Sequence, residues 1–179
     1  RILSELGPLL ARAGIAPAAD YADEDSRRLR FETNHPGLDV VRVRPFDVAT
    51  FVAHGAAHIG VCGADVLMEF DYPEIYAPLD LGIGRCRVSI AEPVVAAADD
   101  PSRWSRVTEL APSMGLAKLI VDLVQTGSTL KANGLRESEV IAHVTSRLIV
   151  NRTALKTRPE AIGAWIARFR AALAERDAR

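Results

Sequence analysis

A short apolar run, Leu119-Ile120-Val121, leads into Asp122, and Thr126-Gly127-Ser128-Thr129 follows within a few positions. The spacing predicts a buried strand that delivers an acidic residue, then a turn that opens a helix. Such a turn is suited to a sugar phosphate. Glycine lets the backbone come close to an anion, and a helix start offers unspent N–H donors with positive potential. The Asp122 carboxylate can accept hydrogen bonds from ribose hydroxyls beside that phosphate. An ordinary strand–turn–helix capped by Thr126 or Ser128 fits the same local pattern, so these residues alone leave both readings open.

Arginine is concentrated near the N-terminus, where Ser26–Glu32 reads as a strand carrying Arg27, Arg28 and Arg30. The planar guanidinium fork matches phosphate and pyrophosphate oxygens. Gly63 and Asp65 mark the opening of another helix, with N-capping as the plain alternative. The four histidines, His35, His54, His58 and His143, have no metal-ligand or catalytic spacing. Cys62 and Cys86 lie in apolar β-like segments without a CxxC pattern, which is the setting of reduced core thiols.

These groups must be positioned by elements that can be traced along the chain. Ile2, Leu3, Leu6, Leu9, Leu10 and Ala13 recur at helical spacing, and Gly14 ends the pattern. Val40–Arg44 alternates as a strand. Pro45 suits the first turn of a helix whose buried stripe is Val48, Phe51 and Val52, ending near Gly55. Strands follow at His58–Val61 and Tyr76–Leu81 around a helix that runs through Met68. Leu81–Arg85 reads as a crossover into a new strand, Cys86–Ala91, and Val140–Asn151 as a long β-rich run returning to the first domain. A final helix from Pro159 to about Glu175 presents Ile162, Trp165, Ile166 and Phe169, with a frayed tail beyond it. The alternation predicts an α/β fold with a largely parallel sheet and ligand sites at the carboxyl ends of strands.

Composition narrows the class. A chain of 179 residues, 49% hydrophobic with a net charge of −1, can bury a core and has no electrostatic bias toward nucleic acid or membrane surface. No apolar run reaches the roughly 20 residues of a membrane span, and no export signal is visible, so a cytoplasmic setting is expected. Two features point to missing residues. The chain opens at Arg1 directly on a helical pattern, and the polar stretch between Pro93 and Glu109 is too short for a strand and helix. A second domain built from Cys86–Ala91 and Leu119–Leu123 would be too thin to bury a core, so a strand–helix–strand unit of roughly 30 residues is expected to be absent near Val107/Thr108.

The pattern Glu109-x5-Gly115-x-Ala117-x2-Ile120-x-Asp122-Leu123-x2-Thr126-Gly127-x-Thr129-Leu130 resembles the signature of the ATP phosphoribosyltransferases. The likeness extends to Ser26-Arg27-Arg28-Leu29, Arg44-Pro45-x-Asp47-Val48, Gly55–Gly60, Gly63-x-Asp65-Val66-Leu67, Gly84-Arg85-Cys86, Ala132–Leu135 and Arg147–Asn151. Motifs of this length in this order are specific.

The resemblance implies a two-domain fold like type II periplasmic binding proteins, with the active site in the interdomain cleft. It assigns 1–86 plus 147–179 to an ATP-side domain and 87–146 to a phosphoribosyl pyrophosphate-side domain. It implies transfer of phosphoribose to N1 of ATP, the first step of histidine biosynthesis, with Mg²⁺ accompanying the substrates. Thr126, Gly127, Ser128 and Thr129 would cradle the 5′-phosphate, and Glu109 and Asp122 would meet the ribose hydroxyls. Arg1, Arg27 and Arg28 would act on the leaving pyrophosphate or ATP phosphates, with Gly63 and Asp65 at the same cleft. The length resembles the short catalytic form, which works as a homodimer inside a hetero-oligomer with a histidyl-tRNA-synthetase-like regulatory subunit. The rival reading is a non-catalytic two-domain solute-binding protein, for which two acidic residues beside a phosphate turn would be surplus.

Overall fold

The computed structural model describes residues 2–23, 25–94, 112 and 118–178. Arg1, Glu109 and the Val107–Thr108 bond therefore lie outside the described residues. The chain divides into two units, Arg1–Gly84 with Thr145–Arg179, and Arg85–Val144.

In the first unit, α1 (Ile2–Arg12) leads to a small antiparallel pair, β1 (Arg30–Glu32) and β2 (Asp39–Val41). Then come α2 (Pro45–Ala53), β3 (Ile59–Gly63), α3 (Ala64–Glu69) and β4 (Ile75–Asp80). The chain returns as β8 (Ser146–Asn151), α5 (Arg152–Thr157) and α6 (Pro159–Asp177). The second unit holds β5 (Cys86–Pro93), β6 (Ile120–Val124), α4 (Ser128–Ala132) and β7 (Leu135–Val144).

The mixed α/β character follows the sequence pattern, but the largely parallel sheet does not. Every strand pairing among the described residues is antiparallel. The β3–α3–β4 segment has the rhythm of a parallel crossover, yet β8 inserts between the two strands to give the order β3-β8-β4. The reason is burial. Leu148, Ile149 and Val150 are all fully enclosed, and only a central strand covered on both faces can satisfy three consecutive apolar residues. Leu148 and Val150 join Leu9, Phe31, Ile162 and Phe169 on one face. Ile149 points the other way into Ala49, Val52, Cys62 and Val66.

Two close fits hold this sheet to its helices. A Cβ at Gly60 would lie 2.8 Å from Val48 Cγ1 and from Val52 Cγ2, so α2 packs on β3 only because that position lacks a side chain. Asn151 ends β8 and joins two helices: its Oδ1 accepts from the Ala154 amide at 2.8 Å, capping α5, while its Nδ2 donates to the Val52 and Ala53 carbonyls at 2.8 and 3.1 Å.

Several local expectations change. The strand expected over Val40–Arg44 ends at Val41, and Phe51, expected in the buried stripe of α2, is exposed. The strand expected over Ser26–Glu32 pairs only from Arg30, leaving Arg27 and Arg28 in the preceding loop. The single run expected over Val140–Asn151 is two strands, parted at Thr145, that belong to different units. The helix expected to fray near Glu175 continues to Asp177. The second unit's sheet has the order β6-β5-β7, and Ala91, Ile120, Val124, Leu130 and Leu135 form its small core.

Candidate active site

The second unit assembles one group of predicted residues. Strand β6 carries Asp122 at its centre, opposite Ser89 of β5, and the half-buried carboxylate accepts from the Leu123 amide at 2.7 Å. The strand ends at Val124, and Gln125 and Thr126 lead into Gly127, whose φ of 75° and ψ of 8° place it in the left-handed region. A residue with a Cβ is disfavoured there by its own backbone, since the nearest atom to such a Cβ, Val124 Cγ1, is 3.9 Å away. This conformation turns the chain out of the sheet and starts α4.

The turn is held internally by a 2.9 Å hydrogen bond between the Thr126 and Ser128 hydroxyls and by the Lys131 amide donating to the Gly127 carbonyl at 3.1 Å. The amides of Thr129 and Leu130 have no acceptor among the described residues, and that of Ser128 has only a long contact, 3.4 Å, to Thr126 Oγ1. Three exposed hydroxyls and unspent N–H groups thus converge beyond the carboxyl end of β6. The arrangement can accept a phosphate, with Asp122 two residues inside the strand end for neighbouring hydroxyls.

The first unit places the arginines differently from one another. Arg28 Nη1 is 3.0 Å from Asp20 Oδ2, and its guanidinium lies 5.5 Å from the centre of the Phe31 ring. Arg27 is exposed and makes no hydrogen bond or ion pair among the described residues. Of the two, Arg27 is the one with its guanidinium uncommitted. A groove of about 390 Å³ beside them is lined by Arg28, Arg30, Glu32 and Asp39, but its arginines already face carboxylates.

Gly63 is the residue preceding α3, with an ordinary φ of −65°, and Asp65 lies in the first turn of that helix. The Asp65 carboxylate folds over Gly63 closely enough that a Cβ there would overlap it. Beside it, burial pushes the Cys62 thiol up to about 12, with a smaller push from Asp65, so it remains protonated and chemically quiet. Among the described residues no group of three or more His, Cys, Asp or Glu side chains is assembled around a metal position.

Two residues that support these groups have no local sequence signal. Arg42 donates to the Asp23 carbonyl at 2.9 Å and to the Ser26 carbonyl, and its guanidinium lies 5.5 Å from the centre of the Phe31 ring, shaping the loop that carries Arg27 and Arg28. Arg87, on the central strand β5, reaches the Gln125 carbonyl at the entrance to the Thr126–Thr129 turn. Both bond backbone far away in the sequence, so only the folded chain reveals them.

The signature segment is therefore folded as a strand, a glycine-dependent turn and a helix start, and a family model described as ATP phosphoribosyltransferase matches residues 44–108 and 103–171. The chain belongs to the ATP phosphoribosyltransferase family. A family member from Paramagnetospirillum magneticum is 58% identical over 202 aligned residues, covering 96% of this chain and 92% of its own length. One from Gluconobacter oxydans is 58% identical over 207, covering 99% and 86%. Among solved structures, the ATP phosphoribosyl transferase (HisG:HisZ) complex from Thermotoga maritima contains a similar chain, with a TM-score of 0.81 at 25% identity, over 100% of this chain and 96% of that one.

Proposed function

We infer that the chain transfers the phosphoribosyl group of phosphoribosyl pyrophosphate to N1 of ATP, giving phosphoribosyl-ATP and pyrophosphate. The observation that carries this reading is the Asp122 and Thr126–Thr129 constellation within a family whose activity requires a ribose phosphate to be held. Adenine N1 attacks C1 of the ribose as the C1–O bond to pyrophosphate breaks. The nucleophile needs no activation, so positioning and electrostatic stabilisation supply the catalysis. In this scheme the Thr129 and Leu130 amides and the Thr126, Ser128 and Thr129 hydroxyls hold the 5′-phosphate. Asp122, together with Glu109, accepts from the ribose hydroxyls. Arg27 meets charge developing on the pyrophosphate, and Arg1 serves the same anion. Arg28, paired with Asp20, serves the same anion only by sharing that partner. Mg²⁺, carried by the substrate's pyrophosphate, would help neutralise the leaving group's charge.

The finer architecture belongs to the same proposal: a type II periplasmic-binding-protein-like arrangement, ATP on the first unit, phosphoribosyl pyrophosphate on the second, and Gly63 and Asp65 toward the cleft. To the same proposal belong a cytoplasmic setting and a homodimer of this chain that works with a histidyl-tRNA-synthetase-like regulatory subunit; the HisG:HisZ complex from Thermotoga maritima supports the hetero-oligomer. The same proposal places an absent internal stretch near Val107/Thr108; alignments that run over 202 and 207 residues against the 179 of this chain support the absence of residues and carry no position for it.

Mixing the protein and its regulatory subunit with ATP, phosphoribosyl pyrophosphate and Mg²⁺ is expected to produce a new adduct absorbance, and its absence would overturn the reading. Asp122→Ala removes a charged acceptor and is expected to weaken phosphoribosyl pyrophosphate binding by roughly 10- to 100-fold, the equivalent of about 1.5–3 kcal/mol. Arg27→Ala is expected to slow turnover by on the order of 10²-fold with smaller changes in KM. The opposite split would exchange the two roles.

A further inference from the structure

We infer that Arg87 and Glu137 form a clamp that sets the orientation of the phosphate-binding turn, making Arg87 a positioning residue for phosphoribosyl pyrophosphate. The inference rests on the reading of Thr126–Thr129 as the phosphate cradle. Arg87 lies on β5 opposite Val124, the last residue of β6. Its Nη1 donates to the Gln125 carbonyl at 2.9 Å, and its Nε donates to both Glu137 oxygens, at 2.9 and 2.8 Å. Glu137 belongs to β7, the strand on the far side of β5. A carboxylate on one edge strand therefore holds a guanidinium on the central strand against the turn that leaves the other edge strand.

The remaining hydrogen bonds of the turn are internal to it and to α4, and Leu130 packs α4 on the sheet, which leaves the entrance of the turn at Gln125 to be oriented by a bond from outside. Among the described residues, Arg87 is the side chain outside this segment that bonds its backbone. That single bond has a directional consequence. The Gln125 carbonyl and the Thr126 amide share one planar trans peptide, so a carbonyl drawn toward Arg87 points the Thr126 N–H the opposite way. The clamp thus orients the peptide that opens the turn, and through it the Thr126 hydroxyl and the residues that follow. Arginine suits the task because its rigid fork serves two acceptors at once, whereas a lysine ammonium on a flexible stem does not hold both directions. The pair is half-buried, with side-chain exposures of 29% and 25%. The hydrogen bond from Arg87 also holds the Glu137 carboxyl below the usual carboxylate range, so the clamp is charged throughout the neutral region.

The test uses the catalytic chain with its regulatory subunit and measures KM for each substrate, kcat, and the Kd of phosphoribosyl pyrophosphate. Glu137→Gln preserves shape and is expected to raise the phosphoribosyl pyrophosphate KM about threefold. Arg87→Met is expected to raise it about tenfold, and Arg87→Lys to restore part of the loss. The ATP KM should change less than about twofold in all three, and the effects of Arg87→Lys and Glu137→Gln should be non-additive in the double variant. Equal rises in both KM values, or a lowered melting temperature with unchanged phosphoribosyl pyrophosphate affinity, would overturn the clamp. A wild-type complex that makes no adduct would instead remove the functional reading on which it rests.

Discussion

Gly127→Ala isolates the cost of a single backbone angle. At φ 75° an L-residue bearing Cβ is strained by roughly 1–2 kcal/mol. No collision adds to this, because the closest protein atom to the new Cβ is 3.9 Å away. The chain can escape the strain by leaving the left-handed region, and that movement carries the Thr129 and Leu130 amides away from their common focus. If the competent turn is lowered in population by that energy, the phosphoribosyl pyrophosphate KM should rise about 5- to 30-fold. The melting temperature should fall by only a few degrees, about 2–4 °C per kcal/mol for a chain of this size. Asn tolerates the left-handed region better than Ala does, so Gly127→Asn should recover part of the loss despite its larger side chain. Steady-state kinetics with each substrate varied in turn, beside thermal unfolding, measures both effects. If Asn is no better than Ala, close approach of the ligand to the bare Cα governs the position, and the backbone argument fails. An unchanged KM in Gly127→Ala would refute the phosphate-cradle geometry itself.

Other perturbations probe the scaffold. Asn151→Ala removes the cap of α5 and takes the side-chain donor from the Ala53 carbonyl and from the Val52 carbonyl, which keeps the Gly55 amide. The combined loss is about 2–4 kcal/mol, seen as a clearly lowered melting temperature; Asn151→Asp retains the cap but not the donor, and wild-type stability in that variant would refute the donor's role. Because the Cys62 thiol is shifted from 9.0 to about 12, alkylating reagents at neutral pH should leave it unmodified until the protein unfolds, as read by mass spectrometry. The sign of the linkage follows from the neutral form being favoured in the folded state. The contribution is complete below pH 9.0 and is lost as pH rises toward about 12, so unfolding free energy should decline over that alkaline range and not at acid pH.

Much of the candidate site was legible because its chemistry is local. Gly127, flanked by hydroxyl residues after an apolar strand, can be read as a turn that admits an anion, and Asp122 precedes it by a fixed number of residues on the same strand. The arginine loop was less legible. Ser26–Glu32 has the look of a strand, but Arg42 binds the Asp23 and Ser26 carbonyls and bends that segment around the Phe31 core. Those carbonyls accept from a residue sixteen or more positions away, which no local periodicity records.

Helix starts, glycine turns and apolar strands were written in the order of the residues, since propensity and side-chain periodicity act over a few neighbours. So was family membership, because a long ordered motif is a property of the chain alone. Which strands meet was decided only in three dimensions. Strand β8 lies between β3 and β4 because Leu148, Ile149 and Val150 together need cover on two faces. The contact of Arg87 with the turn likewise exists only once β5 lies between β6 and β7 in the observed register. Local chemistry names the groups that can hold a phosphoribosyl donor; long-range burial decides which side chains aim them.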